Sequence, residues 1–283
     1  MSVRRMALVA CAGAASLALL AGCSSSGNAG SGLLGHPLAP KISTVADLSN
    51  AVATTTSQKS SVKVTMNMGV MGFTVNGSGV ARFAGQPAAD MTITMAQLGQ
   101  IEMILLNGTA YMKMPSALSQ FLGTNGPVKP WIKIDPNGTD MVDKTVGPML
   151  SQAQQNFDPA TTLDRLKSAG TITSTKQEQL DGQPVTHYTI TVDVQKLIAS
   201  LPPGDAQAQE LKGVTDAGIT TETTDLWVNS DNLPLKFVSV TPMPSLGTGS
   251  SSQTTVTVNF SDWGAPVTVN APPADQVGSL SGN

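Results

Sequence analysis

Hydrophobic and polar side chains alternate with period two along much of this chain, most clearly over residues 101–114, IEMILLNGTAYMKM. The Asn107-Gly108 pair predicts a two-residue hairpin loop, because a type I′ turn requires positive φ at both central residues. That loop fixes the register. Leu105 faces Ala110, Met103 faces Met112 and Ile101 faces Met114, all on one side of the sheet. On the other side Glu102 falls opposite Lys113 and Ile104 opposite Tyr111. One face is apolar, and the other carries an opposite-charge pair suited to water.

The same period runs through SVKVTMNMGV, with Val62, Val64, Met66, Met68 and Val70 on one face, and through MTITM, with Met91, Ile93 and Met95. Glycine-rich turns between these runs predict an antiparallel meander. Strand pattern returns in PWIKIDP and in TITSTKQEQLDGQPVTHYTITVDV, which turns at Asp181-Gly182. It continues in TTETTDLWVNSDNLPLKFVSV, around a turn at Ser230–Pro234, and through QTTVTVNFSDWGAPVTVNAPP at the end.

Helical spacing interrupts the strands in several places. Residues 44–58 carry Val45, Leu48 and Val52 on one face behind a cap at Ser43 or Thr44. Residues 115–123 open on Pro115, and 141–153 align Met141, Val142, Val146, Met149, Leu150 and Ala153, with a kink expected at Gly147-Pro148. Residues 158–170 have full helix punctuation: Asp158 as N-cap, Pro159 in the first turn and Gly170 just past the end, with Leu163 and Leu166 as apolar positions. Shorter helical patterns lie near 194–200 and 205–212. The expectation is an α+β domain of about ten antiparallel strands, curved, with short helices on the concave face.

The first residues change the picture from fold to location. MSVRRMALVACAGAASLALLAGC has a basic start at Arg4 and Arg5, an apolar run from Met6 to Leu20, and small residues before Cys23. This is a secretory signal, too short for a transmembrane helix. Leu20-Ala21-Gly22-Cys23 resembles the bacterial lipobox, which implies cleavage before Cys23 and a lipid anchor on its sulfur. The expected organisation is a signal peptide at 1–22, the lipidated Cys23 with a Ser/Gly-rich tether to 44, one domain at 45–275 and a tail at 276–283. A tether of about twenty such residues spans roughly 25 Å r.m.s..

Cys11 and Cys23 are the two cysteines, so the domain beyond the anchor has no thiol. It is expected to form no disulfide and to use neither cysteine catalysis nor a cysteine-ligated metal. Of 16 basic residues, two leave with the signal, against 19 acidic ones that stay. An acidic chain without a basic run gives nucleic acid nothing to bind. No G-x-S-x-G elbow, H-E-x-x-H pair or glycine-rich phosphate loop occurs. His36 lies in the tether, and His187 alternates with Val185 and Thr189 as a structural histidine would. No catalytic residue, metal ligand or cofactor is expected. Trp131, Trp227 and Trp263 read as covers for sheet ends, the Asn-Gly-Thr triplets at 107–109 and 137–139 as turns, and TPMPSLGTGSSS (241–252) as a surface loop.

The lipobox Cys23, the hairpin LLNGTAYMKM followed by a helix, WIKID, LDGQPVTHYTITVD, LWVNSDNLPLKF and VTVNFSDWGAPVTVNAP occur in the order and spacing of one family. The chain resembles the actinobacterial LppX/LprG-type lipoproteins, whose fold is akin to the LolA/LolB carriers. That resemblance implies a half-barrel of antiparallel strands with helices on its concave face, enclosing an apolar cavity for a lipid or acylated glycolipid. It also implies export to the outer face of the bacterial plasma membrane and an envelope lipid transporter as a further partner. The cavity would be lined by Val64, Met66, Met68, Met91, Ile93, Met95, Ile101, Met103, Leu105, Met112, Met114, Val142, Val146, Met149, Leu150, Leu163 and Leu166. Periodicity alone reads the same stripes as solid core. The implied function is to carry or chaperone lipid across the envelope. The alternative is an envelope scaffold or sensor that binds another protein and has no lipid cavity, with an envelope hydrolase as a distant third. A cavity well above the roughly 1,000 Å³ upper size of small-ligand sites favours the carrier.

Overall fold

Asn107 and Gly108 both take positive φ, 55° and 75°, and the strands they join pair as the alternation predicts: Leu105 with Ala110, Met103 with Met112, Ile104 with Tyr111. Glu102 and Lys113 are register partners and form an ion pair at 2.8 Å. In the computed structural model, residues 42–70, 73–83, 85–96, 99–113, 115, 129–135, 159–201, 206–243 and 252–278 are described. All lie within the compact unit Pro37–Asn283.

Twelve strands form a single sheet: β1 (Ser61–Val70), β2 (Phe73–Arg82), β3 (Ala88–Met95), β4 (Gly99–Leu106), β5 (Thr109–Lys113), β6 (Trp131–Ile134), β7 (Gly170–Leu180), β8 (Gln183–Asp193), β9 (Thr221–Val228), β10 (Pro234–Met243), β11 (Ser252–Ser261) and β12 (Val277–Gly278). Their order is β12-β6-β5-β4-β3-β2-β1-β11-β10-β9-β8-β7. Neighbours are antiparallel except β12 with β6.

The count exceeds the ten expected, and glycine hides one of the added strands. FTVNGSGVAR looks like a glycine-rich turn, yet it is β2, paired residue by residue with β1 and β3. Gly77 and Gly79 stand where large neighbours need room. A Cβ on Gly79 would overlap the Asp90 carbonyl oxygen and the Met91 Sδ, and one on Gly77 would sit 3.2 Å from the Met66 Cε. Met66 and Met91 therefore lie across β2 where it lacks side chains. In the other direction, VTVN at 267–270 alternates like a strand but enters no ladder.

The register makes one continuous apolar face. Tyr188, Leu226, Phe237, Val258, Met66, Gly77, Ile93 and Ile101 succeed one another across eight strands as direct partners. Four described helices accompany the sheet: α1 (Val45–Ser57), α2 (Pro159–Leu166), α3 (Val194–Ser200) and α4 (Ala206–Asp216). Thr44 caps α1, its Oγ1 accepting from the Asp47 N–H at 3.1 Å. Val45, Leu48 and Val52 of α1, Leu163 and Leu166 of α2 and Leu197 of α3 pack with Tyr188, Ile190, Leu226 and Val228 in one buried cluster.

Gly170 does not end α2. The helix stops at Leu166, and Gly170 opens β7 opposite Val192. Its hydrogen side faces the Leu166 carbonyl oxygen at 2.8 Å, measured from where a Cβ would be, so close packing of helix against strand selects the glycine. The helices expected at 115–123 and 141–153, and the Asp158 cap, lie outside the described residues.

The opposite face of the sheet is less wet than the hairpin alone implies. Val267, Val269 and Val277 of the last segment cover Ala88, Ile104, Tyr111 and Trp131. Ser61 Oγ donates to the Ala265 carbonyl and the Gly264 N–H to the Ser61 carbonyl, pinning the start of that segment. Trp263 packs on Phe83 and Phe260 and donates to the Pro234 carbonyl at 2.9 Å.

Because the atoms displaced by a Cβ on Gly79 include backbone, Gly79→Ala is expected to cost about 1–3 kcal/mol in urea unfolding. Gly69 in β1 has nothing within 4 Å of its Cβ position. Gly69→Ala is the control and should leave stability unchanged or raise it by under about 1 kcal/mol.

Candidate functional site

Where α2 and α3 meet the sheet, the apolar face is not filled. A cavity of about 340 Å³ lies there among the described residues. Val64 and Met66 of β1, Met91 of β3, Phe237 of β10, and Val256, Val258 and Phe260 of β11 form its apolar wall. Pro159, Thr162, Arg165 and Leu166 of α2 and Leu197 of α3 close it from the helix side. The volume falls at the low end of ordinary small-ligand sites and well below the 1,000 Å³ that the carrier reading anticipated.

Polarity changes along the strands. On β9 the residues of the helix-facing side run Glu222, Thr224, Leu226, Val228, and on β10 they run Thr241, Ser239, Phe237. Glu222, Thr224 and Ser239 are in the cavity wall, with Thr224 and Ser239 direct cross-strand partners. Along the strand direction the wall passes from Glu222, Thr224 and Ser239 to Phe237 and Val258, and then to Phe260 and Val64.

Glu222 is the unusual member. Its burial raises the carboxyl pKa above the ordinary 4.5, opposed by a hydrogen bond from Thr241 Oγ1 to Oε2 at 3.2 Å. Arg165 is the charged side chain that lines the cavity from the helices.

The residues expected around a cavity divide into groups. Val64, Met66, Met91 and Leu166 line it. Met68, Ile93, Met95 and Ile101 are half-buried on the same face of the sheet without forming its wall. Met103, Leu105 and Met112 pack with Ala110, Ile132 and Ile134, and Leu163 is buried among the helices. Met114, Val142, Val146, Met149, Leu150 and Cys23 lie outside the described residues. The sequence reading missed the β9–β11 side of the wall. A signal was present: Glu222 shares strand parity with Leu226 and Val228, and Val256, Val258 and Phe260 alternate, but the methionine stripe is the stronger pattern.

His187 sits on the opposite face. Its Nε2 is 2.8 Å from Asp225 Oδ1 and its Nδ1 3.4 Å from Glu178 Oε1. The ring stacks on Trp227 at 4.1 Å, and Trp227 Nε1 donates to Glu178. Thr189 Oγ1 donates to the same Asp225 oxygen at 2.7 Å. Both imidazole nitrogens face carboxylates, so neither is aimed at a nucleophile, and the group ties β7, β8 and β9 together. Trp227 thus belongs to a sheet face rather than to a sheet end.

Folding favours the neutral form of Glu222, whose folded pKa is raised. The stability this contributes is fully present below pH 4.5 and is lost as pH rises through the raised value. Glu222→Gln keeps an acceptor for Thr241 and removes the titration. It should become more stable relative to the native chain between pH 4 and pH 7 in urea unfolding, and a pH-independent difference would contradict the assignment.

No protein-family model matches the chain. The chain is 28% identical over 223 residues to an uncharacterized 31.2 kDa protein from the rplA-rplJ intergenic region of Streptomyces griseus, over 77% of this chain and 70% of that protein. Among solved structures it is similar to LprF from Mycobacterium bovis, with 16% identity, 81% of this chain and 96% of that one covered, and a TM-score of 0.46. The lipoprotein LppX of Mycobacterium tuberculosis matches with 14% identity, 80% and 98% covered, and a TM-score of 0.45. MucB in complex with MucA(peri) matches with 13% identity, 84% and 60% covered, and a TM-score of 0.35.

Proposed function

We propose that this chain is an envelope lipid carrier: exported, held through lipidated Cys23 at the outer face of the plasma membrane, and built to shield the acyl part of a lipid or acylated glycolipid while it moves across the envelope. The observation that carries the reading is the unfilled apolar cavity between the sheet and α2–α3, with hydrocarbon walls at Val64, Met91, Phe237 and Phe260. Each methylene entering it contributes about 0.8 kcal/mol, and association costs roughly 4–15 kcal/mol, so a chain must be buried over most of its length to be held. Met66 and Met91, each beside a glycine of β2, give the wall side chains that accommodate guests of varying shape. Among the described residues no helix is long and apolar enough to cross a membrane. Attachment in this reading falls to the acyl chains on Cys23.

The modest cavity volume favours a second reading, an envelope scaffold or sensor whose partner is another protein and which transports nothing. An envelope lipid transporter as partner belongs to the first reading.

Two experiments test the proposal. Cys23→Ser should move the protein from the membrane fraction to the soluble one in an actinobacterial host and abolish labelling by an alkynyl fatty acid; retention on the membrane would refute the anchor. Organic extracts of the purified Cys23→Ser protein should yield acyl lipids near one per chain by mass spectrometry. A lipid-free preparation that also fails to take up a fluorescent acyl probe leaves the scaffold.

A further inference from the structure

The cavity has two unlike ends, and the polar one is under-used by the protein itself. Thr241 donates to Glu222 Oε2, which is the hydrogen bond that Glu222 makes among the described residues. Thr224 and Ser239, beside it in the wall, spend their hydroxyls on no partner among the described residues. A carboxyl and two hydroxyls beside the apolar side chains of β11 and β1 leave hydrogen-bonding capacity that an occupant of the cavity can use. Thr224 is almost wholly buried, at 2% exposure, so the cavity is the space its side chain faces.

We infer that the Glu222–Thr224–Ser239 corner is a head-group subsite for an uncharged, hydroxyl-bearing head on an acyl amphiphile, the hydrocarbon lying toward Val64, Met91 and Phe260. The inference rests on the lipid-carrier reading and narrows its ligand class. Desolvation selects the head group. An ionised head would leave its water for a wall with few dipoles. A hydroxyl loses far less. It donates to Glu222 Oε1 and accepts from Thr224 or Ser239, satisfying groups that folding leaves open. Burial, which disfavours the ionised form of Glu222, acts in the same direction.

The test uses the full mature chain with Cys23→Ser, stripped of lipid, and displacement of the uncharged fluorophore N-phenyl-1-naphthylamine. Three competitors share one sixteen-carbon chain length: monopalmitoylglycerol, palmitate and hexadecyltrimethylammonium, all below their aggregation concentrations. Monopalmitoylglycerol should compete about tenfold better than either ion, the worth of one well-made hydrogen bond set to a half-buried acid. In Glu222→Leu that preference should fall to within about twofold, and in the shape-conserving pair Thr224→Val with Ser239→Ala to about threefold. The pair serves if Glu222→Leu fails to fold. Lys113→Ala, on the opposite face, should keep the full preference. Equal competition by all three lipids, unchanged in the variants, overturns the head-group subsite while the carrier reading stands. Tighter binding of palmitate, lost in Arg165→Ala, overturns it in favour of a carboxylate site. Failure of every lipid to displace the fluorophore overturns both readings together.

Discussion

An antiparallel sheet with one apolar face has to bury that face, and the way it is buried here governs everything else in the molecule. Over β8 and β9 the helices complete the task, leaving Leu226, Val228, Ile190 and Val192 at 0% exposure. Toward β10, β11 and β1 the same helices meet the sheet with a cavity between them among the described residues. Covered and uncovered regions share one row of cross-strand partners, so the difference lies in the covering layer and not in the strands.

Methionine and glycine act as a pair in this arrangement. Gly77 and Gly79 remove two side chains from the middle of β2, and the long, unbranched Met66 and Met91 extend into the room left. A β-branched residue at either methionine position would stand upright from its own strand and reach less far across the next. The result is a wall whose surface is supplied by neighbours on both sides of β2, which is why Met91 of β3 reaches a cavity bordered mainly by β1 and β9–β11.

The opposite face answers a different demand. Its ionic groups are kept at the surface in compact arrangements, with Glu102 against Lys113 and His187 between Asp225 and Glu178, while the final segment shields the apolar patch around Ile104 and Trp131. Asp90 on that face has its carboxyl pKa raised by burial and by the nearby charge of Glu102. Polar chemistry is therefore present on both faces, and on the sheet side of the cavity it is Glu222, Thr224 and Ser239 that supply it.

The sequence by itself determined what depends on neighbours along the chain. Asn107-Gly108 and Asp181-Gly182 specify positive φ and so fix two hairpins; Thr44 caps α1; period-two alternation assigns each strand its buried side. Those are short-range consequences of backbone sterics and side-chain direction. It misjudged FTVNGSGVAR and Gly170, because a glycine selected for the close approach of a distant atom looks, in sequence, like a glycine selected for a turn. It also placed the cavity wall on the methionine strands, where much of that stripe is solid core. Only the tertiary structure decided where along a continuous apolar face the cavity lies among the described residues, and that Glu222 shares the space with Met91. These outcomes depend on how helices seat against strands far away in sequence, a packing property that no local pattern encodes.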